Sequence, residues 1–293
     1  MILLLPFLVN IHLAHNILVF PILKGAVIPL ELDRVYSLLP WHGDPYTPEG
    51  RKRYERALEE FSELKTHPFI SNLPDEPRIL DILSGEGVGG VALSKSLGRR
   101  VKLYLMDLRE KALEVAKRFS REELGEEAEI LVHDATKVHE VLKDLDLILM
   151  YGLSTPHFDP WGAIRLLASV SESLGDDGVF LVEEADRRYW VFYMTGYKEM
   201  SAEFRGEEPV LSMHKGYDFR RGTFRRVHYS LLRGEMAELE VYFWGVADFL
   251  SLMWLFFQEV DLHALDYKRY LLLARRPRRK IRPDDLELPS MLR

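Results

Sequence analysis

The feature that most constrains the fold of this chain is a regular alternation of short apolar segments with helical segments from residue 78 onwards. Between the apolar segments, the sequence predicts helices at 88–98, 109–120, 136–143 and 160–173. The apolar segments are rich in Val, Ile, Leu or Tyr and predict strands at 78–83, 101–106, 129–133, 146–151 and 178–184. Strands that alternate with helices of this length form a parallel sheet with helices on both faces. Ligands of such sheets bind beyond the carboxyl ends of the strands.

Two further strands, near 258–264 and 267–274, are expected to close the sheet as a hairpin. The prediction is therefore an α/β fold with a doubly wound, mostly parallel, seven-stranded sheet. The apolar run 246–257 precedes this hairpin, and because it is too short to span a bilayer we expect a buried helix there.

Residues 186–245 interrupt the alternation and are predicted to be an insertion on the substrate side of the sheet. They contain the aromatic segment YWVFYMTGYKEM, a basic turn, and two predicted antiparallel strands near 224–232 and 239–244. The predicted organisation has four parts: an N-terminal helical extension (1–74), the core (75–185 and 246–276), the insertion, and a C-terminal tail (277–293).

The extension begins with an uncharged, apolar stretch, Met1–Leu23. Prolines and polar residues interrupt it, which disfavours a membrane-spanning helix, and it lacks the basic start of a secretory signal. We expect a pair of short helices that pack on the core, over the active site or in a dimer interface, with membrane-surface attachment as the alternative.

A helix is predicted next in YTPEGRKRYERALEEFSEL, with Thr47 as N-cap and Pro48 at its first position. Its apolar face is formed by Tyr54, Leu58, Phe61 and Leu64. The segment HPFISNLPDEP is predicted to be a hinge that leads into the first strand.

Composition excludes several classes of protein. The chain of 293 residues has no cysteine, so disulfides, thiolate nucleophiles and cysteine-based zinc sites are ruled out, and we expect no metal centre. The net charge of −7 argues against broad, charge-driven binding to nucleic acid. We expect a cytoplasmic protein, and the 29% of charged residues together with the lack of thiols suits a thermophilic source.

The glycines that follow the first strand predict a ligand-binding turn. In RILDILSGEGVGG, Gly85, Gly87 and Gly90 fit G-x-G-x-x-G, which allows a tight turn and close approach of a ligand. The pattern suits dinucleotides and S-adenosylmethionine alike, and a turn without a ligand is a third reading. Asp81 and Glu86 disfavour a pyrophosphate, because two unit charges about 4 Å apart interact by roughly 4 kcal/mol at an effective dielectric of 20. A sulfonium cation with an ammonium group is favoured instead.

From about residue 78 to 275 the sequence resembles the class I S-adenosylmethionine-dependent methyltransferases. DILSGEG resembles the first motif of the family, D/E-x-G-x-G-x-G, with Leu83 in place of the first glycine. YLMDLREKALEVAKR and VHDATKV resemble the segments after strands two and three, DLILMYGLS the fourth motif, and GDDGVFLVEEAD the region of strand five. The resemblance implies S-adenosylmethionine as cofactor. The residues it implies for cofactor binding are Asp81, Ser84, Gly85, Gly87, Asp107, Leu108, Asp134, Ala135, Tyr151 and Gly152.

Within this set, the resemblance assigns Asp107 to the ribose hydroxyls and Asp134 to the adenine amino group. Each acid also has a structural reading. Asp107 with Glu110 forms a potential capping box, and Asp134 can cap the helix that begins near Thr136. If all three acids bind the cofactor, Asp81, Asp107 and Asp134 must face one cleft.

Methyl transfer is an in-line displacement, for which the protein mainly supplies alignment and desolvation. A general base is needed only if the acceptor is protonated, and the candidates are His157, Glu184 and Asp186. For His157, a loop histidine held for shape is the alternative. Glu183 and Glu184 are neighbours on a strand and face opposite ways, so only one of them can serve the site.

The acceptor is predicted to be a small molecule. The family's amino-group enzymes on nucleobases and glutamine carry Asn/Asp-Pro-Pro-Tyr after strand four, where this chain has Tyr151–Ser154. Aromatic residues of the insertion either line an apolar acceptor pocket or form the core of a cap subdomain: Tyr189, Trp190, Phe192, Tyr193, Tyr197 and Tyr217.

Three alternatives stay open. Basic clusters could bind RNA in a tRNA or rRNA methyltransferase: Lys215, Arg220, Arg221, Arg225 and Arg226, and the segment RRPRRKIR. A nicotinamide-dependent oxidoreductase and a non-catalytic S-adenosylmethionine-binding protein are the others. A homodimer is a further expectation.

Overall fold

A computed structural model describes residues 29–39, 41 and 43–292, and its centre is a seven-stranded sheet with the order β10-β11-β5-β4-β1-β2-β3. Every pairing is parallel except those that β11 makes with β5 and β10. The predicted doubly wound, mostly parallel sheet is confirmed. Its strands are β1 (Arg78–Ile82), β2 (Lys102–Asp107), β3 (Glu129–Val132), β4 (Leu145–Met150), β5 (Leu174–Ala185), β10 (Phe257–Ala264) and β11 (Arg269–Pro277).

Helices cover both faces of this sheet because successive strand residues point to opposite faces. On one face Ile79 and Leu105 join a buried cluster with α2, α4 and α5, and on the other Leu80 and Met106 join one with α6 and α7. The helices are α1 (Pro29–Leu38), α2 (Pro48–Leu64), α3 (Pro68–Ser71), α4 (Val88–Leu97), α5 (Glu110–Leu124), α6 (Pro160–Ser173) and α7 (Val246–Phe256).

The helix α2 begins as its sequence predicts. The Thr47 side chain accepts a hydrogen bond from the Gly50 backbone N–H, and Pro48 occupies the first helical position. Its apolar face is buried against α4, with Tyr54, Phe61 and Leu64 inaccessible to solvent. This packing brings the polar residues of α2 to the edge of the sheet that carries the glycine loop.

The insertion forms a sheet of its own, with four antiparallel strands in the order β6-β7-β8-β9. The strands are β6 (Met200–Arg205), β7 (Glu208–Asp218), β8 (Thr223–Ser230) and β9 (Met236–Val241). The sequence predicted β8 and β9 but not the first two strands. β6 and β7 mix apolar, polar and charged residues without a clear strand pattern. They are stabilised by pairing with each other and with β8, which strand propensity alone does not predict. A π-helical turn, Tyr189–Met194, precedes the sheet.

Helix α1 lies against the inner face of the insertion sheet. Val35, Leu38 and Leu39 form a buried cluster with Val210 of β7 and Ala237 of β9. The predicted helix pair within Met1–Leu23 lies outside the described residues.

Three local predictions are corrected. Residues 136–143 were expected to form a helix, and the chain instead forms a 3-10 helix, Ala135–Glu140, interrupted at Lys137. The helix at 246–257 is buried on one side only, because Phe249, Met253 and Phe256 share a face whereas Trp254 and Leu255 are more than half exposed. The expected hinge contains the short helix α3.

Candidate active site

A cavity of about 960 Å³ lies between the carboxyl ends of the parallel strands and the inner face of the insertion sheet. Its lining comes from the glycine loop, the loop after β4, α2 with the segment before it, and the insertion, together with Arg109, Glu183 and Arg269. Its lining includes Tyr36, Trp41, Arg53, Ser84, Gly85, Glu86, Arg109, Tyr151, Gly152, His157, Glu183, Arg187, Tyr197, Glu203, Ser212, Arg226, His228 and Arg269.

The glycine loop between β1 and α4 has a left-handed backbone at alternate positions. Leu83, Gly85 and Gly87 have φ values of 52°, 54° and 83°. At Gly87 a Cβ atom would lie 2.9 Å from the Cβ of Ala116, so both conformation and space require glycine there. Leu83, which stands where the first motif usually has glycine, adopts the left-handed conformation despite its side chain, at a cost of about 1–2 kcal/mol.

Asp81 lies at the carboxyl end of β1, buried beneath this loop. Its Oδ2 accepts a hydrogen bond of 2.7 Å from the Gly90 backbone N–H, whereas its Oδ1 is buried and has no partner among the described residues. Burial raises the pKa of Asp81 to about 8. The hydroxyl of Ser84 is also buried without a described partner. The loop therefore offers two unsatisfied oxygens to a ligand.

Asp107 ends β2 and is closely tied to the loop. Its Oδ2 accepts from the Gly85 backbone N–H at 2.8 Å, and its Oδ1 accepts from the backbone N–H and the Nε of Arg109. The capping box with Glu110 does not form, because Arg109 is the N-cap residue of α5 and makes no side-chain capping bond. Leu108, between these residues, is partly buried and does not line the cavity.

The Arg109 guanidinium explains the acid among the glycines. Its Nη1 lies 3.4 Å from Oε1 of Glu86, and its Cζ lies 3.8 Å from the ring centroid of Tyr36. Arg109 is thus held between two carboxylates and under an aromatic ring supplied by α1. Glu86 lines the cavity, but this cation offsets its charge.

Asp134 and Ala135 do not reach the cavity. The Asp134 Oδ1 accepts from both the backbone N–H and the hydroxyl of Thr136, so this exposed acid caps the 3-10 helix. Of the three acids expected to share one cleft, Asp81 and Asp107 lie directly behind the glycine loop, bonded to its backbone, whereas Asp134 does not contact it. None of the three is itself among the residues that line the cavity.

Tyr151 and Gly152 follow β4 and join an ionic network at the floor of the cavity. The Tyr151 hydroxyl donates to Glu60 at 2.7 Å, and the Gly152 backbone N–H donates to Glu183 at 2.8 Å. Arg269 bridges the two carboxylates, at 2.6 Å to Glu60 and 3.0 Å to Glu183. Sequence reasoning missed Glu60 and Arg269, because no motif marks residues that meet from α2 and β11 across the fold.

His157 lies between two aromatic rings of the N-terminal segment. Its Nε2 lies 3.5 Å from the Tyr36 hydroxyl, and its ring is 6.3 Å from that of Trp41, edge to face. Desolvation, with the nearby Arg187 cation, lowers the pKa of His157 to about 4. The ring is therefore neutral at pH 7 and lines the cavity.

Glu184 and Asp186, the other two predicted bases, do not line the cavity. Glu184 is fully buried, accepts from the Thr155 hydroxyl, and pairs with Arg187 at 2.6 Å. Asp186 accepts from the Tyr189 and Val246 backbone N–H groups at the two ends of the insertion. Of the adjacent pair on β5, it is Glu183 that faces the cavity.

The inner face of the insertion sheet supplies a polar wall. Glu203, Ser212, Arg226 and His228 come from β6, β7 and β8. Of the predicted aromatic residues only Tyr197 lines the cavity, whereas Tyr189, Phe192, Tyr193 and Tyr217 are 42–76% exposed. Most of these aromatic residues therefore do not line a pocket, and the wall combines its polar side chains with Val191, Leu239, Val241 and Phe243.

Among the described residues, no helix is both long and apolar enough to cross a membrane. The same residues contain no cluster of three or more His, Asp or Glu side chains that could hold a metal ion.

Comparisons with known proteins agree with this geometry. Residues 79–178 match the model of a family described as a methyltransferase domain. A search of curated proteins found no match.

Three solved structures share the fold. The PH0226 protein from Pyrococcus horikoshii OT3 is 19% identical, with a TM-score of 0.60 over 83% of this chain and 98% of that chain. An S-adenosylmethionine-dependent methyltransferase from Clostridium acetobutylicum ATCC 824 is 16% identical, with a TM-score of 0.57 over 76% of this chain and 91% of that one. The sugar N-methyltransferase KedS8 from Streptoalloteichus sp ATCC 53650 is 13% identical, with a TM-score of 0.54 over 90% and 98%.

Proposed function

Because the chain belongs to the class I S-adenosylmethionine-dependent methyltransferases, we propose that it methylates a small molecule held between the seven-stranded sheet and the insertion. One observation carries the proposal: a single cavity runs from the glycine loop to the inner face of the insertion sheet. A cofactor at the loop and an acceptor under the insertion would therefore share one cavity. The similarity in fold to KedS8, a sugar N-methyltransferase, supports a small-molecule acceptor.

The residues at the glycine loop fit the cofactor. Asp81 Oδ1 and Ser84 Oγ lack described partners, and a bound ammonium group would favour the ionised form of Asp81. Asp107 accepts three hydrogen bonds, and because a carboxylate offers about four acceptor positions it keeps capacity for a hydroxyl donor. The cofactor supplies a methyl group already activated on a sulfonium centre, so the protein's part is alignment and exclusion of water.

We propose that the remaining predicted cofactor residues contribute through the backbone and through packing: Gly85, Gly87, Leu108, Tyr151 and Gly152. Asp134 and Ala135 are a weaker part of the proposal, because the Asp134 carboxylate already caps the 3-10 helix that begins at Ala135.

His157 is the group best placed to take a proton from the acceptor. Its ring is neutral at pH 7, so one nitrogen has a free lone pair, and it lines the cavity close to the loop after β4. Of the acids at the end of β5, Glu184 and Asp186 are hydrogen-bonded away from the cavity, and Glu183, which lines it, is held by Arg269 and the Gly152 backbone N–H.

The basic clusters give little support to RNA as the acceptor. In the insertion, Arg221 pairs with Asp159 at 2.6 Å and Lys215 pairs with Glu238. In the C-terminal segment, Arg276 pairs with Asp177 at 2.9 Å. Charges already neutralised within the chain release few counterions from a phosphate backbone.

The test is methyl transfer from labelled S-adenosylmethionine to two pools, small metabolites and bulk tRNA. We expect label only in the small-molecule pool, and transfer to tRNA with a steep salt dependence would contradict the proposal. Calorimetry should show cofactor binding that Asp107→Ala abolishes. The matched control is Asp176→Ala, an exposed acid paired with Arg279 at the other end of the sheet, which should bind the cofactor normally.

The division into four parts, a homodimer, a cytoplasmic location and a thermophilic source remain predictions. Size-exclusion chromatography with light scattering tests the dimer directly.

A further inference from the structure

His228 is a buried histidine that has no hydrogen-bond partner among the described residues. Its side chain is 5% exposed and lines the cavity, yet neither Nδ1 nor Nε2 makes a hydrogen bond. It lies on β8 directly opposite Ser212 of β7 and Ala237 of β9. An imidazole without partners costs stability, so its place on the cavity wall calls for a ligand that supplies them.

Glu203 is a second side chain with unused hydrogen-bonding capacity on the same wall. It lies on β6, and the register places it on the same face as His228: Glu203 pairs with Val210, which is two residues from Ser212. No hydrogen bond or ion pair to its carboxylate is made by the described residues, and it also lines the cavity. Two acceptor oxygens therefore face the same space as the imidazole.

The cation nearest to these groups is Arg226, and most of its hydrogen-bond donors are already used within the protein. The Arg226 guanidinium donates to Ser212 through its Nε and one Nη, and to the Tyr197 hydroxyl and the Lys198 carbonyl through the other Nη. Four of its five N–H donors are thus used within the protein. Arg226 braces β6–β8 and has one N–H donor left for a ligand, and its charge acts to lower the pKa of both Glu203 and His228.

The unused groups together define what they can bind. A neutral imidazole offers one donor and one acceptor, and a carboxylate offers only acceptors. Hydroxyl groups both donate and accept, so they satisfy both side chains at once. A carboxylate or phosphate on the ligand can accept from the imidazole but has no donor for Glu203, so it would satisfy only one of the two side chains.

We propose that Glu203 and His228 form a hydroxyl-recognition subsite, and that the acceptor is a polyhydroxylated, non-anionic small molecule. The inference rests on the proposed function, because it assigns this wall of the cavity to the acceptor. The methylated end would lie toward His157 and the glycine loop, and the hydroxylated end toward the insertion sheet.

The experiment uses three probes of equal size and different charge: D-glucose, D-glucosamine and D-glucuronate. Each is titrated into the full-length protein, with and without S-adenosylmethionine, while the histidine ring signals are followed by NMR. The His228 signal is identified as the one absent from His228→Gln. We expect glucose and glucosamine to shift this signal, and glucuronate to bind at least tenfold more weakly.

Variants sharpen the test. Glu203→Gln should weaken glucose binding several-fold and remove most of the discrimination against glucuronate, and His228→Gln should weaken the two favoured sugars alike. Glu207→Gln, in the exposed turn before β7, is the control for the carboxylate. His263→Gln is the control for the imidazole, since His263 also has an unpartnered Nε2 but does not line the cavity. Both controls should bind like the wild type.

Two results would overturn the inference. One is no shift of the His228 signal with glucose or glucosamine at up to about 100 mM, above the weak affinities expected for fragments. The other is unchanged binding in Glu203→Gln and His228→Gln. If S-adenosylmethionine still binds and other small molecules are methylated, only the subsite fails. If sugars bind at His228 but no small molecule is methylated, it is the proposed function that fails.

Discussion

The two walls of the cavity differ in whether their polar side chains have hydrogen-bond partners within the protein. At the carboxyl edge of the parallel sheet, Glu60, Glu183 and Arg269 satisfy one another through hydrogen bonds of 2.6–3.0 Å. On the inner face of the insertion sheet, the ring nitrogens of buried His228 have no hydrogen-bond partner among the described residues. The partly buried Glu203 has Arg226 only as a charged neighbour. The Glu60–Arg269–Glu183 network is internally satisfied, whereas His228 on the insertion wall, like Asp81 and Ser84 at the glycine loop, keeps unpaired polar atoms for a ligand.

This difference separates polar groups that hold the fold together from polar groups that are available to bind a ligand. A buried charge that is fully paired holds elements in place and has little left for a ligand. A buried polar group without a partner lowers stability and persists where something outside the chain completes it. The predictions below test that distinction, beginning with the largest expected effect.

Arg269→Ala should be the most damaging substitution. It leaves Glu60 and Glu183 buried without their shared cation, and breaking a buried pair of this kind costs about 3–5 kcal/mol of unfolding free energy. Denaturant unfolding monitored by circular dichroism measures the loss. Arg276→Ala, which removes an exposed arginine paired with Asp177 and Glu259, is the control and should change stability little. Equal effects of the two variants would remove the distinction between a satisfied wall and ordinary surface charge.

Gly87→Ala should cost about 3 kcal/mol, from a left-handed alanine and a Cβ that contacts Ala116. Gly98→Ala, at the other end of α4, is a matched control because Gly98 has a φ of 66° but open space around its Cβ position. It should cost only about 1 kcal/mol. Thermal unfolding of both variants separates backbone strain from packing, and similar melting temperatures would show that packing at the loop is slack.

His228→Leu should make stability less sensitive to acid. Burial lowers the pKa of His228 to about 4 from an ordinary value of 6.5, so below pH 6.5 the unfolded chain binds a proton that the folded chain does not. The wild type therefore loses stability as the pH falls from about 6.5 to 4, by up to about 2 kcal/mol from this residue at pH 5. Comparing unfolding free energies at pH 7.5 and 5 should show a smaller loss in His228→Leu.

Asp81 has the opposite effect on the pH dependence of stability, because its pKa is raised rather than lowered in the folded state. Its raised pKa means that the folded chain holds a proton up to about pH 8, so its contribution to stability falls as the pH rises from about 4 to 8. The measurement on His228→Leu is therefore a difference from the wild type at each pH. An equal loss in both proteins would mean that His228 is protonated, and so partnered, in the folded state.

Glu203→Gln should have the smallest effect on stability, within about 0.5 kcal/mol. The carboxylate has no described hydrogen-bond partner to lose, and desolvation raises its pKa, so replacing it with a neutral amide removes little. The same melting experiments measure it. A loss as large as that of Arg269→Ala would show that Glu203 is part of the internal structure rather than of an open wall.

The two walls also differ in how far the sequence predicts them. The core could be predicted because its information is local: strand and helix periodicity, the glycines of the loop, and Asp107 at the end of β2 all lie in short segments. Strand alternation predicts that only one of the neighbours Glu183 and Glu184 on β5 faces the cavity. The structure shows that this residue is Glu183.

The insertion wall could not be predicted in the same way. Glu203 and His228 are 25 positions apart in polar strands, and nothing local shows that they share a face. Their relation depends on the register of β6, β7 and β8, which is set by pairing between strands. At Asp134 a local motif is misleading. The motif suggests a ligand contact, but the Asp134 carboxylate instead accepts a hydrogen bond from the Thr136 backbone N–H.

Helix α1 touches both walls, with Tyr36 stacked on Arg109 beside the glycine loop and Leu38 packed on the insertion sheet. This single helix of ten residues thus contacts both sides of the cavity. A substitution that displaces this helix should therefore alter the cofactor end and the insertion end of the cavity together.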